Sequence, residues 1–196
     1  MAFVPHALHD RDAYASRARE RLAAMGHELY SLHEPGRSLE EAEVCFVGGG
    51  NTFRLLDALQ RLDLIATIRR AVDAGAPYIG SSAGSIVACP TLKTTKDMPI
   101  VQPRSFDALG LVPFQISPHY LDPDPTSTHM GETQEERILQ YLEENDAPVV
   151  GLREGSMLRV DGESVALEGR ASARLFRRGR APVEVSPGGR LERLLG

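Results

Sequence analysis

No apolar run in this chain approaches the roughly 18 residues that a membrane-spanning helix needs, so a helical membrane protein is not expected. The opening residues, MAFVPHALHD, lack the charged start and the long apolar centre of a secretory leader. Cysteine is scarce. Cys45 and Cys89 are the only two, both in apolar surroundings, which reads as reduced core residues rather than a disulfide framework. Basic residues do not dominate either: 22 Lys and Arg against 27 Asp and Glu leave a formal charge of −5, so no nucleic acid partner is implied. Internal repeats and low-complexity linkers are also missing. Together these absences describe a cytoplasmic protein with no membrane association, and 196 residues at 42% hydrophobic suit a single α/β domain, residues 1–196.

What the chain does contain is alternation. Short apolar runs at Ala2–Val4, Leu29–Leu32 and Val44–Val47 alternate with stretches of helical spacing, the first capped by Asp10 or Asp12 and running to about Met25. Leu55, Leu56 and Leu59 mark a helix starting near Thr52, and Leu64, Ile68, Ala71 and Val72 mark another over roughly 63–74, closed by Gly75. Strand, helix, strand in this order builds a parallel sheet. Further strands are expected at Phe114–Ile116 and Val149–Leu152, with a helix from about Thr133 to Glu144 between them. After Gly155 the pattern shifts to short apolar runs separated by glycine-containing turns, which reads as antiparallel strands finishing the domain.

The chemistry is concentrated where strands end. Tyr78-Ile79 leads into Gly80-x-Ser82-x-Gly84, the pattern of a nucleophile elbow with Ser82 at its apex. Glycines two positions either side of the serine keep side chains from colliding with neighbouring backbone in so sharp a turn. The Ala83 amide faces the same space as an oxyanion donor. Gly48-Gly49-Gly50 follows another buried strand and exposes amides that favour an anion. It lacks the lysine of a P-loop and the spacing of a dinucleotide fingerprint. In a parallel sheet both turns fall at the carboxyl edge, where ligands bind.

A serine hydroxyl needs a base, and the base needs an orienting group. His6, His9, His27, His33 and His129 lie in segments read as surface or loop. His119 instead follows a buried strand, as Ser82 does, and Glu154 follows another. The plainer reading of each, a backbone-bonded loop histidine and a solvated glutamate, weakens once all these features share one predicted edge. His119, Asp122, Asp124 and His129 form the alternative, a metal site, but no ligand pair at helical spacing supports it. No metal and no cofactor is called for.

The segments GGGNTFRLL, GSSAGS, TTKDMPIVQPRSFDALGL, ISPHYLD, GETQEERI and GLREGS resemble those of the peptidase E family, aspartyl dipeptidases related to cyanophycinase. The resemblance runs from about Phe3 to Phe176. It implies a flavodoxin-like, three-layer α/β fold with helices on both faces of a mostly parallel sheet. It also implies a Ser–His–Glu triad at Ser82, His119 and Glu154, cleaving dipeptides that begin with aspartate. Such a substrate presents an α-ammonium and a side-chain carboxylate. Asp97 is the candidate partner for the first, or an alternative orienter of His119, and Arg137 is the candidate for the second.

The chain departs from the family in three ways. The family's opening strand and helix have no counterpart before Ala2: either the start is set late, or this is a shorter subgroup with a smaller sheet, whose missing edge strand would expose a pairing surface for a homodimer. Ser81 stands where the family has tryptophan, and Ile86 near its asparagine, so substrate preference is affected more than reaction type. The loop from Asp122 to Met130 is longer. The expected activity is therefore that of a serine peptidase acting on short peptides, with Gly49, Gly50 and Ala83 forming the oxyanion hole. The rivals are a carboxypeptidase or cyanophycinase-like specificity, an esterase, and a non-catalytic anion-binding relative.

Overall fold

A computed structural model describes residues 1–40, 42–126, 128, 130–191 and 194. The chain forms two compact units, Met1–Leu111 and Val112–Gly196.

In the first unit β1 (Ala2–Val4), β2 (Tyr30–Ser31), β3 (Cys45–Val47) and β4 (Tyr78–Gly80) form one sheet in the order β2-β1-β3-β4, every pair parallel. That order opens the flavodoxin-type doubly wound sheet. Side chains alternate across a strand, and here the alternation sorts the core into two layers. Ala2, Val4, Cys45 and Val47 face α2 (Thr52–Arg61), α3 (Leu64–Asp73) and α4 (Ala83–Ala88), packing with Leu55, Leu56, Leu59, Ile68 and Val87. Phe3 and Phe46 face the other way, against Tyr14, Ala18 and Leu22 of α1 (Arg11–Ala23). Helices therefore cover both faces.

Of the two caps expected for the first helix, Asp10 is the one used. The Asp10 side chain accepts from Ala13 N at 2.9 Å and starts α1. The expected stripe to Met25 stops at Ala23, because Gly26 turns the chain at φ +84° and leaves Met25 exposed. Asn51 caps α2 through Arg54 N, while Asp63 precedes α3 in a left-handed conformation without a side-chain cap.

The second unit holds β5 (Gln115–Pro118), α5 (Gln134–Glu144) and β6 (Val149–Leu152), then a hairpin of β7 (Ser156–Asp161) and β8 (Ser164–Gly169), then β9 (Ala173–Phe176) and β10 (Val183–Val185). Its main sheet has the order β10-β9-β6-β5, with β5 parallel to β6 and the other pairs antiparallel. Thr133 and Glu136 form a complete capping box at the start of α5. That helix buries Ile138 and Leu142 against Tyr120, Val149 and Phe176. Among the described residues no helix is long and apolar enough to cross a membrane.

Candidate active site

β4 turns into α4 within two residues, and Ser82 at the turn has φ +52° and ψ −108°, a backbone state that non-glycine residues seldom adopt. The flanking glycines are required by space. A Cβ on Gly80 would meet the Gly84 carbonyl oxygen at 2.6 Å, and one on Gly84 would drive into the carbonyl of Val47. Two side chains lock the turn: the Tyr78 hydroxyl donates to Gly84 O at 2.7 Å and the Ser85 hydroxyl to Gly80 O at 2.9 Å.

The glycine turn after β3 lies against this elbow, since a Cβ on Gly49 would come within 3.0 Å of the Ser82 Cβ. The Gly49 amide donates to the Tyr14 hydroxyl at 2.8 Å. No hydrogen bond from the amides of Gly50 or Ala83 is found among the described residues. Gly50 holds φ +135°, a value open to glycine. Asp97 sits at the start of α2, where its Oδ2 accepts from Thr52 N at 2.7 Å, Thr52 Oγ1 at 2.6 Å and Thr95 Oγ1 at 3.2 Å. Asn51 ties the same loop by donating to Met98 O at 2.9 Å.

In the second unit His119 and Glu154 follow the ends of β5 and β6, whose last residues Pro118 and Leu152 are register partners. His119 Nδ1 is bonded to the Glu154 carboxylate, so Glu154 is the acid on that nitrogen. His119 also has a left-handed backbone, φ +54°. Gln134, the first residue of α5, donates to His119 O at 3.1 Å and accepts from Leu121 N at 3.1 Å, bracketing that residue. Arg137 lies 3.6 Å from Glu132 in an exposed pair.

The carboxylates of the alternative metal site are otherwise engaged. Both oxygens of Asp122 bind Arg153, which holds its carboxyl below the usual range, and Asp124 accepts from Thr126 N and Oγ1 at 2.8 and 2.6 Å. His129 lies outside the described residues. Among the described residues no three His, Cys, Asp or Glu side chains gather as a metal site. The histidines read as solvated need correction in two cases. His6 is 1% exposed, and His33 joins Asp12 at 2.9 Å and Ser31 at 2.7 Å. Both lie just past strand ends, His33 tied to Asp12 of α1, and isolated polar letters gave no sign of it.

The family model described as Peptidase family S51 matches residues 1–168. A Peptidase E from Streptomyces coelicolor is 58% identical over 198 residues, covering 100% of this chain and 82% of that protein. A Drosophila melanogaster protein named "Probable alpha-aspartyl dipeptidase" is 47% identical over 189 residues, covering 94% and 79% respectively. Among solved structures, a peptidase from an acI-B1 Actinobacterium superposes with a TM-score of 0.73 over 97% of this chain and 82% of that one. At 16% identity it shows the likeness of fold alone.

Proposed function

The chain belongs to peptidase family S51 and is a serine peptidase, and from that membership we propose that it is a dipeptidase cutting after an amino-terminal aspartate. In this reading Ser82 is the nucleophile, His119 the base and Glu154 its orienter. The observation that carries it is the bond between His119 Nδ1 and the Glu154 carboxylate. A triad needs that base–acid pair, and a solvated loop histidine lacks it.

The steps follow from these roles. Ser82 Oγ attacks the peptide carbonyl carbon while His119 takes its proton. The amides of Gly50 and Ala83 hold the oxyanion, and Gly49 shapes the turn beside Ser82 and contributes its amide when Tyr14 releases it. The C–N bond then breaks and His119 passes the proton to the leaving amine. Water, activated by the same imidazole, hydrolyses the acyl-enzyme. Glu154 fixes the ring and stabilises its charge throughout. We assign Arg137 to the substrate's side-chain carboxylate, since an exposed 3.6 Å pair with Glu132 is weak enough to exchange. Asp97 is assigned to the α-ammonium; its bonds to Thr52 and Thr95 anchor it. The two units act as one catalytic domain, needing neither metal nor cofactor. Two buried reduced cysteines fit the cytoplasm. Light scattering separates monomer from homodimer.

The test is hydrolysis of Asp-Leu, Ala-Leu and amino-blocked Asp-Leu by wild type and Ser82→Ala. Only Asp-Leu should be cut, and Ser82→Ala should lower kcat by about 10,000-fold or more. Near-wild-type turnover by Ser82→Ala sinks the mechanism. Efficient cleavage of the blocked peptide leaves Asp97 as a loop brace and points to one of the altered specificities.

A further inference from the structure

The His119–Glu154 pair is not held in place by burial: the two side chains are 55% and 76% exposed. The backbone ladder does not hold it either. Among the described residues it reaches Tyr120 N, which bonds Leu152 O at 3.1 Å, and beyond Leu152 Glu154 enters a turn with Gly155 at φ +80°. Past that rung Arg153, the residue between Leu152 and Glu154, reaches across to the segment that follows His119.

The Arg153 side chain is only 18% exposed, and each of its three nitrogens is hydrogen-bonded. Nε and Nη2 bind the two oxygens of Asp122 at 2.9 and 2.7 Å, a bidentate pair with a residue just after His119. Nη1 and Nη2 reach Glu184 on β10 at 2.5 and 3.2 Å. Nη1 also reaches the Ser172 carbonyl and hydroxyl, both at 3.0 Å. The guanidinium carbon lies 5.4 Å from the centre of the Tyr120 ring, the residue next to His119. The His119 segment is thus fastened, through one planar cation, to the turn that carries Glu154 and to the β9–β10 end of the sheet. The same bonds occupy Asp122, the nearest carboxylate along the chain from His119, so that Glu154 is the acid on Nδ1.

We propose that Arg153 is a positioning residue for the peptidase reaction, clamping the strand end that bears His119 to the one that bears Glu154. This rests on His119 being the base and Glu154 its orienter. A point charge cannot replace it, because a lysine ammonium cannot span two carboxylates in one plane.

The test compares wild type, Arg153→Met and Arg153→Lys at a temperature where circular dichroism shows each fully folded. Kinetics with Asp-Leu are combined with the downfield proton resonance of His119 Nδ1–H, assigned by its loss in His119→Ala. Arg153→Met should lower kcat by roughly 10- to 100-fold, the effect of a displacement on the order of 1 Å, with KM little changed. The resonance should broaden or move upfield, and Arg153→Lys should recover only part of both. If Arg153→Met does not fold, Asp122→Asn loosens the clamp from its other end and should move the resonance and lower kcat to a smaller degree. Wild-type kcat and an unmoved resonance in the folded variant overturn the clamp. Full activity in His119→Ala overturns the reading beneath it instead, so the two failures are told apart.

Discussion

His6 lies two residues past the end of β1 with 1% of its surface exposed, and its Nδ1 has no hydrogen-bond partner among the described residues. Burial is the main force on its titration, and the charges of Arg11, His33 and Arg61 add to it, bringing the imidazole down to about 4. The unfolded chain, with an ordinary value near 6.5, then binds more protons than the folded one between those limits. Stability contributed by neutral His6 is complete above about pH 6.5 and is lost as pH falls toward 4, a change of about 3 kcal/mol. His6→Leu should shrink the difference between urea midpoints at pH 7 and pH 4.5. An unchanged difference would mean that His6 keeps its charge state on folding. Asp97 shows the same scale from the opposite side: its carboxylate is fixed by partners 45 residues distant in sequence, which no local pattern displays.

At the scale of elements, the elbow is the most constrained turn. Gly80 and Gly84 face backbone rather than yielding side chains, so Gly80→Ala has no neighbour that can give way. Forced overlap of this kind costs about 1–3 kcal/mol, and the shifted turn would carry Ser82 with it. Gly80→Ala should therefore lower the urea midpoint and Asp-Leu turnover together; a variant equal to wild type in both would show slack in the turn. This motif was legible because its pattern is local: five consecutive residues carry it, although the space that Gly84 must leave is set by Val47 on β3. The same holds for α1, where Asp10 sits directly before the helix it caps, and for the starts of α2 and α5, capped by Asn51 and Thr133. It holds for β1 and β3 too, whose apolar letters are few but unbroken. What escaped was long-range. Arg153 meets Asp122 and Glu184 each 31 residues away, and His6 is buried where charges from Arg11, His33 and Arg61 reach it. Charged letters in loops look solvated until the fold supplies their partners. His119 and Glu154 stood out in the sequence only because strand ends of a parallel sheet gather at one edge.

The whole chain divides at Leu111, and the proposed catalytic residues fall on both sides, with Ser82 in the first unit and His119 and Glu154 in the second. Independent domains are usually joined by exposed, flexible linkers rich in polar residues or glycine. The junction here is different. Leu111 N bonds Ala88 O and Gln115 N bonds Pro148 O, both at 2.8 Å, so that residues 112–114 alone separate backbone fixed in one unit from backbone fixed in the other. Phe114 within that stretch is fully buried and Pro113 restricts it further. A junction this short, between two halves of one proposed catalytic machine, favours folding as a single cooperative body. Scanning calorimetry should give one transition whose calorimetric and van't Hoff enthalpies agree, with Asp-Leu hydrolysis lost along the same curve. Two resolved transitions would instead make the units separate domains. Activity would then disappear with the first to melt, and the order of melting would say whether the nucleophile or its base is the less securely held.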